Sequence, residues 1–108
     1  MQFDALSDRA WSVRQLYERL EAQRHGRSWS REEIAIGFVG DVGDLMKLVQ
    51  AKEGVRRIDD VDEKLAHELA DCLWSILILA RAYGVDLECA FLSTMDDLSA
   101  RVSAQLKP

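Results

Sequence analysis

The stretch "LADCLWSILILA", residues 69–80, decides the fold of this chain. It is apolar almost all round a helical wheel, and a helix of this kind has to be covered on every side. The surrounding residues predict a helix over residues 61–83, which Gly84 ends. The rest of the chain must therefore supply the helices that cover it.

Three further helices follow from apolar periodicity. The first is predicted over residues 4–24. Its apolar stripe consists of Leu6, Ala10, Val13, Tyr17 and Leu20. The fourth helix is capped by Asp86 and ends near residue 106. Its stripe consists of Leu87, Phe91, Met95, Leu98 and Val102.

The second helix carries the clearest start signal. Ser30 and Glu33 form a capping-box pair, and Trp29 just before the cap is expected to pack on Ile34. Gly54 ends this helix after residue 53. The chain is thus predicted to be all-α, a single four-helix domain over residues 1–108 that forms a helical bundle.

The apolar third helix also predicts an assembly. Three partner helices of one small chain hardly cover it, so we expect a homodimer whose helices complete the bundle. The alternative is a central helix that is covered within one subunit.

Charge and composition exclude several classes of protein. The net charge of −5 disfavours nucleic acid as a partner, because nucleic-acid binders present a basic face. Cys72 and Cys89 lie in apolar helical stretches, so we interpret them as small core residues. Unpaired cysteines of this kind indicate a reducing compartment. With no leader-like N-terminus and no stretch long enough to span a bilayer, the expected location is cytoplasmic, away from membranes.

Two acidic pairs interrupt apolar helical stretches. In "GFVGDVGDL", residues 37–45, Asp41 lies inside the apolar arc of the second helix and Asp44 on its edge. In "HELADCLW", Glu68 and Asp71 repeat the same i,i+3 spacing. Unpaired carboxylates in such surroundings cost several kcal/mol each, and together they repel one another.

A divalent cation is the natural compensation for this charge. Lys47 and Lys64 are the basic residues nearest in sequence, but they project from other parts of their helices. Oxygen-only ligands favour Mg²⁺ or Mn²⁺ over Zn²⁺. Gly37, Gly40 and Gly43 weaken the same helix by about 1 kcal/mol each relative to alanine, so we expect a close approach of another helix or a ligand there.

The stretch "GDVGDL" followed by "HELADCLWSILILARAYGVDLECAFLSTM" resembles the MazG-like, all-α nucleoside triphosphate pyrophosphohydrolases. The resemblance covers about residues 28–102. It implies a bundle built by dimers or dimers of dimers. It also implies Mg²⁺-dependent hydrolysis of an NTP or dNTP to the monophosphate and pyrophosphate, as in nucleotide-pool house-cleaning. The implied catalytic and metal ligands are Asp41, Asp44, Glu68 and Asp71.

The chain departs from the family pattern at several positions. The first pair is Asp where the family usually has Glu, which shortens each side chain by about 1.5 Å, and Gly40 replaces a further Glu. Thr94 and Leu98 stand where many relatives have a substrate-binding Lys and Asn. Ala51 replaces the base-stacking Trp of the dCTP-specific branch, so cytosine preference is not supported.

Three residues are the candidates for substrate binding. Arg101 and Lys52 supply positive charge for phosphates. Trp11, opposite the stripe of the first helix, is a candidate for stacking on the base, and its alternative role is packing. Besides the pyrophosphohydrolase, two interpretations stay open. One is a weakened or inactive helical dimer that binds nucleotides or a protein partner, and the other is a helical bundle with another role.

Overall fold

A computed structural model describes residues 2–107. In that range it contains four α-helices and no strand: α1 (Phe3–His25), α2 (Arg31–Lys52), α3 (Val61–Ala82) and α4 (Leu87–Gln105). The all-α, four-helix prediction is confirmed, and each boundary lies within two residues of the predicted one. No helix among the described residues is both long enough and apolar enough to cross a lipid bilayer.

The predicted helix ends are formed by local hydrogen bonds. Ser30 Oγ accepts from Glu33 N at 3.1 Å, and Glu33 Oε1 accepts from Ser30 N at 3.0 Å, so the capping box is confirmed. Asp86 caps α4 through a bond from Cys89 N to its carboxylate. Gly54 and Gly84 follow α2 and α3 with φ of 80° and 68°, a conformation that favours glycine.

The core lies where α3 crosses α1 and α2. Its buried residues are Ala10 from α1, Ile34 from α2, and Leu77 and Ile78 from α3. Trp74 Nε1 donates to the Ala10 carbonyl at 3.1 Å, which fixes α3 against α1. An ion pair of 2.9 Å between Arg81 and Asp8 joins the same two helices nearer their ends.

Helix α4 extends away from the other three helices. It packs along none of them and contains no buried residue, and only Leu87 at its start contacts the core. The radius of gyration of 17.5 Å exceeds the value of about 13 Å for a compact domain of this length. The chain therefore leaves much of its apolar surface exposed.

Two apolar stripes remain exposed on α3 and α4. The α3 stripe consists of Leu69, Leu73 and Ile76, and the α4 stripe of Phe91, Met95, Leu98 and Val102. All seven residues are between 38% and 58% exposed, so the other helices of the chain do not cover α3 completely.

We predict that Ser30→Ala lowers the free energy of unfolding by about 1 kcal/mol, because the start of α2 loses its side-chain cap. Urea unfolding at one fixed protein concentration measures the change. Ser93→Ala is the matched control: Ser93 is exposed in the middle of α4, so its loss is expected to leave stability nearly unchanged. Equal effects of the two substitutions would contradict a stabilising cap.

Candidate metal centre and adjoining cavities

Three carboxylates meet where α2 packs against α3. Asp41 and Asp44 come from successive turns of α2 and Glu68 from the facing side of α3, and one oxygen of each lies within 4.8 Å of the others. The i,i+3 spacing places both aspartates towards α3. We call this set the acid cluster.

One oxygen of the acid cluster is buried without a partner. Glu68 Oε2 is inaccessible to solvent and makes no hydrogen bond to any described residue. A buried carboxylate oxygen normally accepts at least one hydrogen bond, because desolvation without compensation is unfavourable. The oxygen and its two neighbouring carboxylates fit a divalent cation that takes oxygen ligands.

The pKa values of two carboxyl groups in the acid cluster, those of Asp41 and Glu68, are shifted in the same direction. Burial raises the pKa of Asp41, and the negative charges of Asp71 and Asp44 raise it further. Burial also raises the pKa of Glu68, with added repulsion from Asp41, Asp71 and Asp44. Asp41 and Glu68 therefore resist ionisation unless a positive charge lies beside them.

Asp71 lies beside the acid cluster but outside the group of mutually close oxygens. Its Oδ2 is 3.1 Å from His67 Nε2, one turn earlier on α3, and its charge acts on both Asp41 and Glu68. The structure thus brings three of the four predicted ligands together, and metal binding by Asp71 stays a prediction. His67 is exposed, and its i,i+4 spacing to Asp71 is the sequence signal for this contact.

A cavity of about 730 Å³ adjoins the acid cluster between α1, α2, α3 and the α1–α2 loop. Asp41 and Asp71 line it together with three aromatic residues, Tyr17, Trp29 and Trp74. The Tyr17 and Trp74 rings meet edge to face with centroids 5.8 Å apart. This volume and this mixture of aromatic and charged walls are typical of small-molecule sites.

A second, smaller cavity of about 380 Å³ also adjoins the acid cluster. Asp44 and Glu68 line it, and so do Lys47 and Lys64. Neither lysine forms an ion pair with Asp44 or Glu68 in the described part of the chain. Both nevertheless contribute to a surface that reaches the acid cluster, which the helical wheel did not indicate.

The three predicted substrate-binding residues lie elsewhere in the subunit and line neither cavity. Trp11 packs against the core, with the Arg81 guanidinium 5.0 Å from its ring centroid, which agrees with its alternative role in packing. Lys52 Nζ is 2.6 Å from Asp62 Oδ1 and ties the end of α2 to the start of α3. Arg101 is exposed on α4.

The approach of another helix or a ligand to the glycines of α2 stays a prediction, and the neighbour that the structure shows is a residue of the α1–α2 loop. A Cβ at Gly37 would lie 3.5 Å from Cζ3 of Trp29, so the indole ring rests on the helix at this residue. Gly40 and Gly43 have no such neighbour within 4 Å among the described residues.

The family model for the MazG nucleotide pyrophosphohydrolase domain matches residues 40–104. The match spans both acidic pairs and nearly all of α4. The chain therefore belongs to the MazG nucleotide pyrophosphohydrolase family. No curated protein and no solved structure gives a significant match.

We predict that the metal-free protein loses stability as pH rises above about 4.3, the ordinary pKa of Glu. Because the folded-state pKa values of Asp41 and Glu68 are raised, the folded state binds more protons than the unfolded state above that pH, so deprotonation favours unfolding. Melting temperatures measured with a chelator between pH 4 and 8 test this.

Glu68→Gln replaces the carboxylate by a neutral group of the same shape. The melting temperature of this variant is expected to exceed that of wild type by an amount that grows as pH rises. Mg²⁺ is expected to raise the melting temperature of wild type but not of this variant. Glu32→Gln, which removes an exposed carboxylate from the first turn of α2, is the control that follows wild type. A gap between wild type and Glu68→Gln that does not change with pH would contradict the prediction.

Proposed function

We propose that this protein hydrolyses nucleoside or deoxynucleoside triphosphates to the monophosphate and pyrophosphate, with Mg²⁺ or Mn²⁺ as the cofactor. The observation that supports this most directly is the unpartnered, buried Glu68 Oε2 inside a group of three carboxylates. Membership of the MazG family gives the reaction class.

Asp41, Asp44 and Glu68, with Asp71 beside them, would hold the metal. When bound, it supplies positive charge against the phosphates and Lewis acidity. The acids of α2 and α3 face each other across the helix pair, so they fix the place where the phosphate chain must lie. A carboxylate of this set accepts the proton of the attacking water.

The two cavities give the substrate its direction. We assign the base and sugar to the larger cavity, where Tyr17, Trp29 and Trp74 offer apolar and aromatic surface. The pyrophosphate then lies towards the smaller cavity, where Lys47 and Lys64 are the cations. Water attacks the α-phosphorus, the bond from that phosphorus to the oxygen bridging to the β-phosphorus breaks, and pyrophosphate leaves.

A second candidate function is nucleotide binding without turnover. Its support is that Thr94 and Leu98 replace the polar and cationic residues of many relatives, and that α4 does not pack along the helices of the site within one subunit. Phosphate binding would then rest on the metal and on fewer side-chain cations.

A panel of NTPs and dNTPs with Mg²⁺ or Mn²⁺ tests the proposed activity. We expect release of monophosphate and pyrophosphate, and a loss of about 1,000-fold in kcat/KM in Glu68→Ala, because a lost metal site removes several kcal/mol of transition-state stabilisation. Glu32→Ala is the control and is expected to retain activity. A nucleotide-dependent rise in melting temperature without products would favour the binding module, and neither effect would exclude both.

We further propose that two or four subunits assemble. The accessible surface of one chain is 8325 Å², about 2,200 Å² more than a compact monomer of 12.3 kDa exposes. Twice this excess, about 4,400 Å², is within the range of obligate dimer interfaces. The exposed stripes of α3 and α4 are the surfaces we assign to the partner subunit.

We also propose a cytoplasmic location, which is consistent with the absence of a disulfide between Cys72 and Cys89. The partners are then the nucleotide substrate and further copies of this chain, with no role for nucleic acid or membranes.

Phe91→Glu is expected to convert the assembly to a monomer, because it places a charge in the middle of the α4 stripe. Size-exclusion chromatography with light scattering should give at least twice the 12.3 kDa chain mass for wild type and a single chain mass for the variant. Val55→Glu is the matched control, since Val55 is 73% exposed in the α2–α3 connection, away from both stripes. A monomeric wild type at micromolar concentration would exclude the proposed assembly.

A further inference from the structure

Arg14 is a charged residue in the interior of the subunit. It lies in the middle of α1, is only 6% exposed, and its Nη1 is 3.3 Å from Glu21 Oε1. The Glu21 side chain is itself only 13% exposed. Charged side chains are rarely buried to this degree, and a buried ion pair is by itself weak evidence of a contribution to stability. The position of this pair therefore requires another reason.

The pair binds both main-chain polar atoms of one residue, Trp29. Glu21 Oε1 accepts a hydrogen bond from Trp29 N at 2.7 Å, and Arg14 Nη2 donates to Trp29 O at 2.5 Å. Charge-assisted hydrogen bonds of this kind are stronger than neutral ones and fix orientation as well as position. The α1–α2 loop is thus attached to α1 at the residue whose ring lines the larger cavity.

The Trp29 ring depends on this attachment because its own packing is limited. Trp29 is 46% exposed, and its indole rests on Gly37, which lies one turn before Asp41 on α2. The start of α2 does not need the attachment, because Ser30 and Glu33 already form the capping box there. Fixing Trp29 therefore determines the shape of a cavity wall rather than the start of a helix.

We propose that Arg14 and Glu21 are positioning residues for the substrate cavity: by holding the main chain of Trp29, they fix the aromatic wall against which the base is bound. The substrate part of this inference rests on the proposed function. Arg14 and Glu21 line the larger cavity themselves, and no hydrogen bond or ion pair among the described residues joins them to the acid cluster on α2 and α3. Disturbing the pair is therefore expected to change substrate affinity and to leave the chemical step intact.

Fluorine NMR of protein labelled with 5-fluorotryptophan tests the positioning role without any substrate. The chain has three tryptophans, so Trp29→Phe identifies the Trp29 signal. Arg14→Lys removes the guanidinium group, whose two Nη atoms contact Glu21 and Trp29 O. Glu21→Gln keeps the shape of the Glu21 side chain but removes its negative charge. Both are expected to broaden the Trp29 signal or shift it towards that of the unfolded chain, and to leave those of Trp11 and Trp74 in place.

Arg27→Met is the matched control. It also removes an arginine near Trp29, but Arg27 pairs with Glu33, and its own side chain is 65% exposed. The Trp29 signal is expected to keep its wild-type position and width in this variant. A Trp29 signal unchanged in both Arg14→Lys and Glu21→Gln would overturn the proposal. Equal displacement of all three signals would also overturn it, because the pair would then serve the fold as a whole.

Kinetics supply the second readout. The substrate for this measurement is the triphosphate that the wild type hydrolyses best. In Arg14→Lys and Glu21→Gln, KM is expected to rise about tenfold while kcat stays within about twofold. The reason is that stacking of an aromatic ring on the base contributes equally to binding in the ground state and in the transition state. An unchanged KM with a lower kcat would overturn the proposal. If wild type turns over no nucleotide, the proposed function fails, and the fluorine spectra still decide whether the pair positions Trp29.

Discussion

Repulsion between carboxylates held on two packed helices is the constraint on which this structure depends. Asp41, Asp44 and Glu68 bring oxygens within 4.8 Å of one another, and Glu68 Oε2 is buried with no hydrogen-bond partner among the described residues. Burial and mutual charge raise the pKa values of Asp41 and Glu68, so the folded chain holds an arrangement that becomes less favourable as the acids ionise. The core contacts between α2 and α3 offset that cost, and a bound cation would remove it.

The same helix pair organises everything near the acids. The larger cavity and the smaller one both adjoin the acid cluster, and His67 lines both of them, so a ligand that occupies the two lies beside the carboxylates. Besides α2 and α3, the larger cavity is lined by α1 and by the α1–α2 loop. Arg14 and Glu21 hold this loop against α1 through hydrogen bonds to the main chain of Trp29. Helix α4 takes no part in this arrangement, and its apolar stripe is exposed.

Much of the fold could be predicted because its signals are local. The capping box at Ser30, the cap at Asp86 and the stop at Gly84 each depend on residues within a few positions of one another. The acid cluster was also predictable, since i,i+3 spacing fixes which face of a helix carries a pair of side chains. The same helical wheel predicts base stacking for Trp11. Its ring instead lies against the core and Arg81, and Trp11 lines neither of the two cavities. A helical wheel shows on which face of a helix a residue lies, but it does not show which part of the structure packs against that face.

The sequence by itself determined the four helices, their ends, the two acidic pairs and the incomplete covering of α3, because each follows from periodicity or capping along one segment. Three features follow from tertiary packing alone: Trp29 rather than Trp11 lines the larger cavity, Arg14 is buried, and Asp71 lies 3.1 Å from His67, outside the closest group of oxygens. These features depend on the distance and rotation between helices. Both are set by the packing of side chains far apart in sequence, for which a single chain's pattern carries no local signal.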